Sequence, residues 1–350
     1  WAAGSVMPAE EGCAEIPQVS HTLGYYWTEY RKDTCGLTTA DGFVNERGVV
    51  IVSNSMGTSR EGMENADCVK DGGIAFNLRR ALAERAQTAR DGARILMELV
   101  DEWGYAPSGR AYTIADKDEA WIINVVKGRH YVAKRIPDDK VMLLSNYLAI
   151  RDVDLNDKEN VIASPDLIEY AIKMGRYKPA KAGDYSDFSF RKAYQPIERR
   201  SADWNKDRAQ TAWEMLMGKE TMDQEAFPYS VKPTKKLTVS DVQKIVSGHW
   251  KREARTSGFF HQSMRDICNV GTFESVVYEM NPEPLLTRGW RTSARPCQTP
   301  YVPFFPLAKP AEAQSFMTPE VATAEHFHAT PDRFDFKADF GLYTALKTQN

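Results

Sequence analysis

The chain has little that would commit it to nucleic acid, membrane or metal. Its 45 Lys and Arg residues are matched by 48 Asp and Glu. The signs are interleaved, so there is no basic stripe for phosphates and no acidic block, and nucleic acid is not expected as a partner. No apolar run approaches the roughly 18 residues needed to span a bilayer. Cysteine is scarce: Cys13, Cys35, Cys68, Cys268 and Cys297 are 5 in number, widely spaced and without a C-x-x-C pair. That excludes a complete disulfide set and a zinc ribbon, while one or two bridges stay open. His326 and His328 are separated by one residue, and His21, His130, His249 and His261 stand singly, with no H-E-x-x-H. No metal and no cofactor are expected. G-x-S-x-G, G-x-G-x-x-G and the Walker pattern are all missing, so a hydrolase elbow, a dinucleotide site and a P-loop have no support. The opening WAAGSVMPAEEG has neither a basic n-region nor an apolar h-region. Trp1 is not an initiator Met, nor a Cys, Ser or Thr. The compartment is not fixed by these features, with a secreted or periplasmic place favoured over a cytoplasmic one.

What is present is a globular composition. With 350 residues, 42% hydrophobic and 27% charged, the chain can bury a large core as one big domain or two ordinary ones. Residues 1–41 are aromatic-rich and poorly periodic, which reads as loops and short strands covering a concavity. Val49–Val52 is then a buried strand, opened by the turn Asn45-Glu46-Arg47-Gly48. Two amphipathic helices follow. The first places Ile74, Leu78, Leu82 and Ala86 on one face; the second is capped by Thr88, turns Ala93, Leu96, Leu99 and Val100 inward and ends at Gly104. From Arg110 the period changes from 3.6 to 2. Ala111–Ala115, Ala120–Val125, His130–Arg135 and Val141–Leu144 are expected as four strands of an antiparallel meander. Helices packed on such a sheet define an α+β architecture. Further helices are expected from a Ser164 cap to Gly175, over Lys206–Met217 and over Val239–Val246, with a strand at Glu274–Met280. The division expected is a main domain over 1–280 and a Pro-rich extension over 281–350 that wraps the surface.

Several blocks carry a resemblance. IPQVSHTLGYYWTEY, DGFVNERGVVIVSNSMGTSRE, the long stretch from Asp71 to Val141 and SNYLAIRDVDL closely resemble the cysteine dipeptidases of the N-terminal-nucleophile hydrolase superfamily. The resemblance continues more weakly through NKDRAQTAWEML, ICNVGTFESVVYEM and WRTSARPCQTPYVPFF, and so touches nearly the whole chain. It implies a four-layer αββα sandwich of two facing antiparallel sheets with helices outside. It also implies a nucleophile that is the mature N-terminal Cys, its own α-amino group serving as base. On that pattern the Cys, the first strands and a supporting Arg and Asp precede Trp1, so the fold is expected to be N-terminally incomplete. The substrate implied is a dipeptide or small amide, and a homo-oligomer is compatible. Two alternatives share the scaffold or its groove: a linear-amide acylase of the penicillin or bile-salt type, and a non-catalytic peptide-binding relative.

Within this pattern Asn146, in LLSN, matches an active-site asparagine, Arg208 a supporting arginine, and Ser53-Asn54-Ser55 an oxyanion-hole contributor with a register open by one residue, Asn54 being the preferred member. Each residue also has a plain structural reading. Asn146 caps a strand end, Arg208 is a solvated or salt-bridged side chain on an amphipathic helix, and Asn54 sits in a turn-like stretch. Cys35, in DTCGLTTADG, falls between two matched blocks and reads as a structural cysteine rather than an internal processing site.

Overall fold

The computed structural model describes residues 4–7, 10–32, 37–56, 60, 68–218, 224–249, 265–269, 271–272, 274–293 and 295–308. Cys35, His261, His326, His328 and the extension beyond residue 308 lie outside them. The chain divides into a large unit, residues 1–27 and 41–307, and a small one, residues 28–40 with 308–350. Of the small unit, the described residues are 28–32, 37–40 and 308, the first two stretches being extended strand.

The elements follow in the order β1 (Tyr25–Lys32), β2 (Leu37–Asn45), β3 (Val50–Ser55), α1 (Asn77–Arg85), α2 (Ala89–Trp103), β4 (Tyr105–Ala115), β5 (Ala120–Gly128), β6 (Tyr131–Arg135), β7 (Val161–Ala163), α3 (Leu167–Lys173), α4 (Phe190–Tyr194), α5 (Ile197–Arg200), α6 (Asp203–Met217), α7 (Val239–Val246), β8 (Glu274–Glu279), β9 (Arg288–Ser293) and β10 (Val302–Phe304). β1 to β7 form one sheet in sequential order, and β2 to β7 pair antiparallel throughout. β10, β9 and β8 make a second antiparallel sheet. The architecture is therefore α+β, two antiparallel sheets flanked by helices.

Alternation along β5 shows how the large sheet is sandwiched. Trp121, Ile123 and Val125 face α2, where Arg90 lies 4.9 Å over the Trp121 ring. Ile122 and Val126 point the other way, into a core shared with Leu148, Ile150 and α3 and α4. α2 is held at both ends. The Thr88 side chain accepts from the Asp91 N–H at 3.1 Å while Asp91 accepts from the Gln87 N–H at 2.9 Å. Asp116, in the β4–β5 turn, accepts the Ala89 N–H at 2.7 Å, satisfying another donor that a helix start leaves open. Gly104 ends the helix at φ 76°, and a Cβ there would come within 2.6 Å of the Cys68 carbonyl. Only glycine fits such a left-handed, closely approached position. The second sheet meets the first through Tyr26 and Phe304, whose rings are 5.3 Å apart, and through the Tyr278 hydroxyl, which donates to the Gly42 carbonyl at 3.1 Å.

Four expectations shift. The described residues before Tyr25 are loop with one isolated bridge, as expected, but the strands before Asp41, β1 and the start of β2, are longer than the short strands expected. The first helix begins at Asn77, because Ile74 is taken by a parallel bridge to Tyr105. The Ser164 side chain does not cap a helix: its hydroxyl accepts from the Tyr131 N–H at 3.4 Å, and α3 starts at Leu167. Val141–Leu144 is not a sheet strand; it makes a single bridge, Val141 with Val231, and the strand beside β6 is β7. The reason is packing. Residues 141–150 run between two cores, with Leu148 and Ile150 entering the one under the sheet and Tyr147 and Ala149 entering the one against α6 and α7. Such a segment shows period 2 without a neighbouring strand.

Among the described residues no helix is long and apolar enough to cross a membrane.

Candidate active site

A segment sandwiched between two cores must still satisfy its backbone polar groups. Buried side chains do this for residues 145–150. Asn205, fully buried on α6, accepts the Asn146 N–H on Oδ1 at 2.8 Å and donates Nδ2 to the Asn146 carbonyl at 2.8 Å. The Ser145 hydroxyl donates to the same Oδ1. Gln195, at the end of α4, accepts the Leu148 N–H at 3.0 Å and donates to the Met56 carbonyl at 3.0 Å. Asn124, on β5, accepts the Ile150 N–H at 3.1 Å. Arg191 donates to the carbonyls of Leu148 at 2.6 Å and Ala149 at 2.9 Å and lies 4.8 Å over the Tyr147 ring. Burial holds its pKa below the usual guanidinium value, yet an arginine stays charged across the accessible pH range. Four side chains from β5, α4 and α6 thus replace a strand partner, and they fix where Asn146 stands.

The Asn146 side chain connects two further parts of the chain. Its Nδ2 donates to the Ser55 carbonyl at the end of β3 at 2.7 Å, and its Oδ1 accepts from Arg208 Nη1 at 3.0 Å. The orientation of the amide follows from its partners: a guanidinium only donates and a carbonyl only accepts, so the oxygen must face Arg208 and the nitrogen Ser55. Arg208 is itself held by a bond from Nε to the Asp266 carbonyl at 3.1 Å and by the Trp204 ring, 4.9 Å from the guanidinium carbon. Burial lowers its pKa, with the Asp266 carboxylate opposing.

Ser55, Asn146 and Arg208, distant in the sequence, are therefore one hydrogen-bonded chain. The structure also separates the three residues of Ser53-Asn54-Ser55. Asn54 pairs with Ala111, and Ala111 and Met56 belong to the core under the sheet, so strand alternation puts Asn54 on the face where residues 145–150 run. Ser53 goes to the opposite face, where its hydroxyl accepts from Arg110 Nη1 at 2.9 Å. Ser55 takes part through its carbonyl.

No motif in the sequence marks Asn205, Gln195, Asn124 or Arg191. A signal for Asn205 exists nonetheless: α6 is buried round most of its circumference and also buries Asp207, Gln210 and Thr211. A helix with that many polar residues inside has partners waiting there. Asp207 meets Arg265 in a close ion pair.

The fold is α+β, two antiparallel sheets flanked by helices, with a buried polar lattice that presents Asn146 and Arg208, and a family comparison places the chain. Residues 15–325 match Peptidase family C69, and the chain belongs to that family. It is similar to a probable dipeptidase of Latilactobacillus sakei, 26% identical over 322 residues that cover 89% of this chain and 64% of that protein. A probable dipeptidase of Salmonella dublin is 28% identical over 204 residues, 57% of this chain and 46% of that protein. Probable dipeptidase B of Streptococcus pyogenes serotype M1 is 31% identical over 183 residues, 52% of this chain and 36% of that protein. The chain thus spans less than two thirds of the length of each of these relatives.

Proposed function

We propose that this chain is the greater part of a cysteine-type dipeptidase of the N-terminal-nucleophile kind, whose nucleophilic Cys and first strands stand upstream of Trp1 and complete an αββα sandwich. The observation that carries the reading is Asn146, suspended between the Ser55 carbonyl and Arg208. One hydrogen of its Nδ2 is used by Ser55, and the second is a donor for a substrate oxygen. Asn54, on the same face, supplies a further amide.

The reaction follows from these parts. The α-amine of the N-terminal Cys, with an unperturbed pKa of about 8, takes the thiol proton. The thiolate attacks the amide carbon of a dipeptide, and the carbonyl electrons move to oxygen, where Asn146 and Asn54 donate. Removing one such donor elsewhere costs about 3–4 kcal/mol of transition-state stabilisation. Collapse breaks the C–N bond, the ammonium returns its proton to the leaving amine, and a thioester remains. Water, deprotonated by the same amine, attacks the thioester, releasing the second amino acid as its carboxylate and restoring the thiol. Arg208 keeps Asn146 turned toward the reacting oxygen.

Release of free amino acids from a panel of dipeptides tests the reading, using the chain from Trp1 and a form extended upstream to an N-terminal Cys. Turnover by the extended form alone is expected. Turnover by the Trp1 form that disappears with Cys35→Ala would point to internal processing instead. Cleavage of acylated amines but not dipeptides would favour an acylase, and a folded, extended form that binds peptides without cleaving them would favour a binding relative.

A further inference from the structure

We propose that His249, Cys268 and Cys297 form a zinc site that fastens three separate segments of the chain behind Arg208. Their ligand atoms, one from each residue, all lie within 4.8 Å of one another. Local sequence cannot mark the grouping, because no short spacing connects a histidine after α7, a cysteine in residues 265–269 and a cysteine in the turn between β9 and β10. The two sulfur atoms are 3.6 Å apart. A disulfide needs about 2.05 Å. Two thiolates on one tetrahedral zinc, each bonded at about 2.3 Å, stand about 3.8 Å apart. The observed gap, that of two thiols in contact, is too long for a disulfide and would need to open by only a few tenths of an ångström for both sulfurs to share a metal. Two thiolates and an imidazole are also the donors that suit zinc over the oxygen-seeking divalent cations.

Binding balances simply. Two thiols lose their protons to solvent, the Cys268 to Cys297 S–H contact is replaced by two Zn–S bonds, the imidazole gives the third bond, and water fills the fourth position. Access for metal and water comes from the exposed side of Cys297.

The place of the site gives it a purpose. The Cys268 N–H already bonds the Gly248 carbonyl at 3.1 Å, beside His249. Two residues before Cys268, Asp266 offers its carbonyl to Arg208, and Arg265 before it pairs with Asp207. Zinc would fix this short segment against the end of α7 and the β9–β10 turn, and so set the Asp266 carbonyl on which Arg208 rests. Zinc binding here is independent of the dipeptidase reading, since it is measured without a peptidase assay.

The experiment uses the whole protein, extended upstream to its N-terminal Cys, made metal-free by a chelator under reducing conditions and then titrated with zinc or cobalt. One equivalent of zinc per chain should remain after gel filtration, and cobalt should produce a thiolate-to-cobalt charge-transfer band. Cys268→Ser, Cys297→Ser and His249→Ala should each retain less than a tenth of the wild-type zinc, whereas Cys13→Ser with Cys68→Ser should retain all of it. Should a ligand variant fail to fold, the cobalt band of a form whose N-terminal Cys is replaced by Ser, and which therefore has no other thiolate–amine chelate, still decides. Absence of that band with no zinc retained, or isolation of a Cys268–Cys297 disulfide from unreduced protein as made, would overturn the proposal.

Discussion

Arg208 donates from Nη1 to Oδ1 of Asn146 at 3.0 Å across 62 residues of sequence. The consequence is orientational: with its oxygen committed to a guanidinium, the Asn146 amide cannot flip, and its nitrogen is turned toward the end of β3. A helix and an irregular segment are thereby coupled at one side chain, and disturbing either is felt at the other.

Asn205 is the support on which that side chain depends. In Asn205→Ala the Asn146 N–H and carbonyl lose their partner in a buried site. Each orphaned group costs about 1–3 kcal/mol, so a loss of roughly 2–6 kcal/mol in unfolding free energy is expected from urea denaturation. Asn205→Asp should not rescue it, because the donor to the Asn146 carbonyl becomes an oxygen. A loss below about 1 kcal/mol would show that solvent takes over the role.

The cap of α2 gives a smaller, cleaner effect. Thr88→Ala removes the acceptor for the Asp91 N–H, with an expected cost of about 1 kcal/mol, and Thr88→Ser should restore most of it. Thermal midpoints of the three proteins check this.

His130 predicts a pH dependence. Its ring stacks 4.0 Å from that of Tyr170 and 5.9 Å from that of Tyr194, with Asp166 Oδ1 3.2 Å from Nε2. Burial lowers its pKa, Arg176 adds to the lowering, and Asp166 opposes both. Below an unfolded pKa of about 6.5 the unfolded chain takes up the proton more readily than the folded one. This residue's stabilisation is therefore full above about pH 6.5 and declines as pH falls toward the depressed folded value, below which it changes no further. His130→Phe keeps the stacking and should flatten the stability curve of the wild type in that window. Identical slopes for the two proteins would remove His130 as the source.

Much of this fold is legible where periodicity and caps act locally. β4 and β5 are marked as strands by short apolar runs between turn residues, although β5 is buried on both faces from Trp121 to Val126, and Thr88 and Gly104 mark the ends of α2 as expected. The segment 141–150 shows where such reading stops. Its period of 2 is real, but what completes its hydrogen bonding comes from side chains on β5, α4 and α6, a long-range arrangement without a local signature. The same applies to the site. Ser53–Ser55, Asn146 and Arg208 are marked by a resemblance, not by spacing, and Asn205 and Gln195, which no motif marks, emerge only when the chain is folded. β1 escapes local reading because its aromatic residues, among them Tyr26 and Trp27, pack on Phe304 and Phe43, partners that a local pattern does not contain.

The most direct test of the account is kcat/KM for a dipeptide, measured on the form extended to an N-terminal Cys with Asn146→Ala, Arg208→Ala and both together, each checked for native folding. Each single change is expected to lower kcat/KM by about 10²–10³-fold. Because Arg208 acts through Asn146, the double variant should fall no more than a few-fold below the weaker single one. Single variants as active as the wild type, or losses that multiply in the double variant, would contradict a shared role for these two residues at the reacting carbonyl.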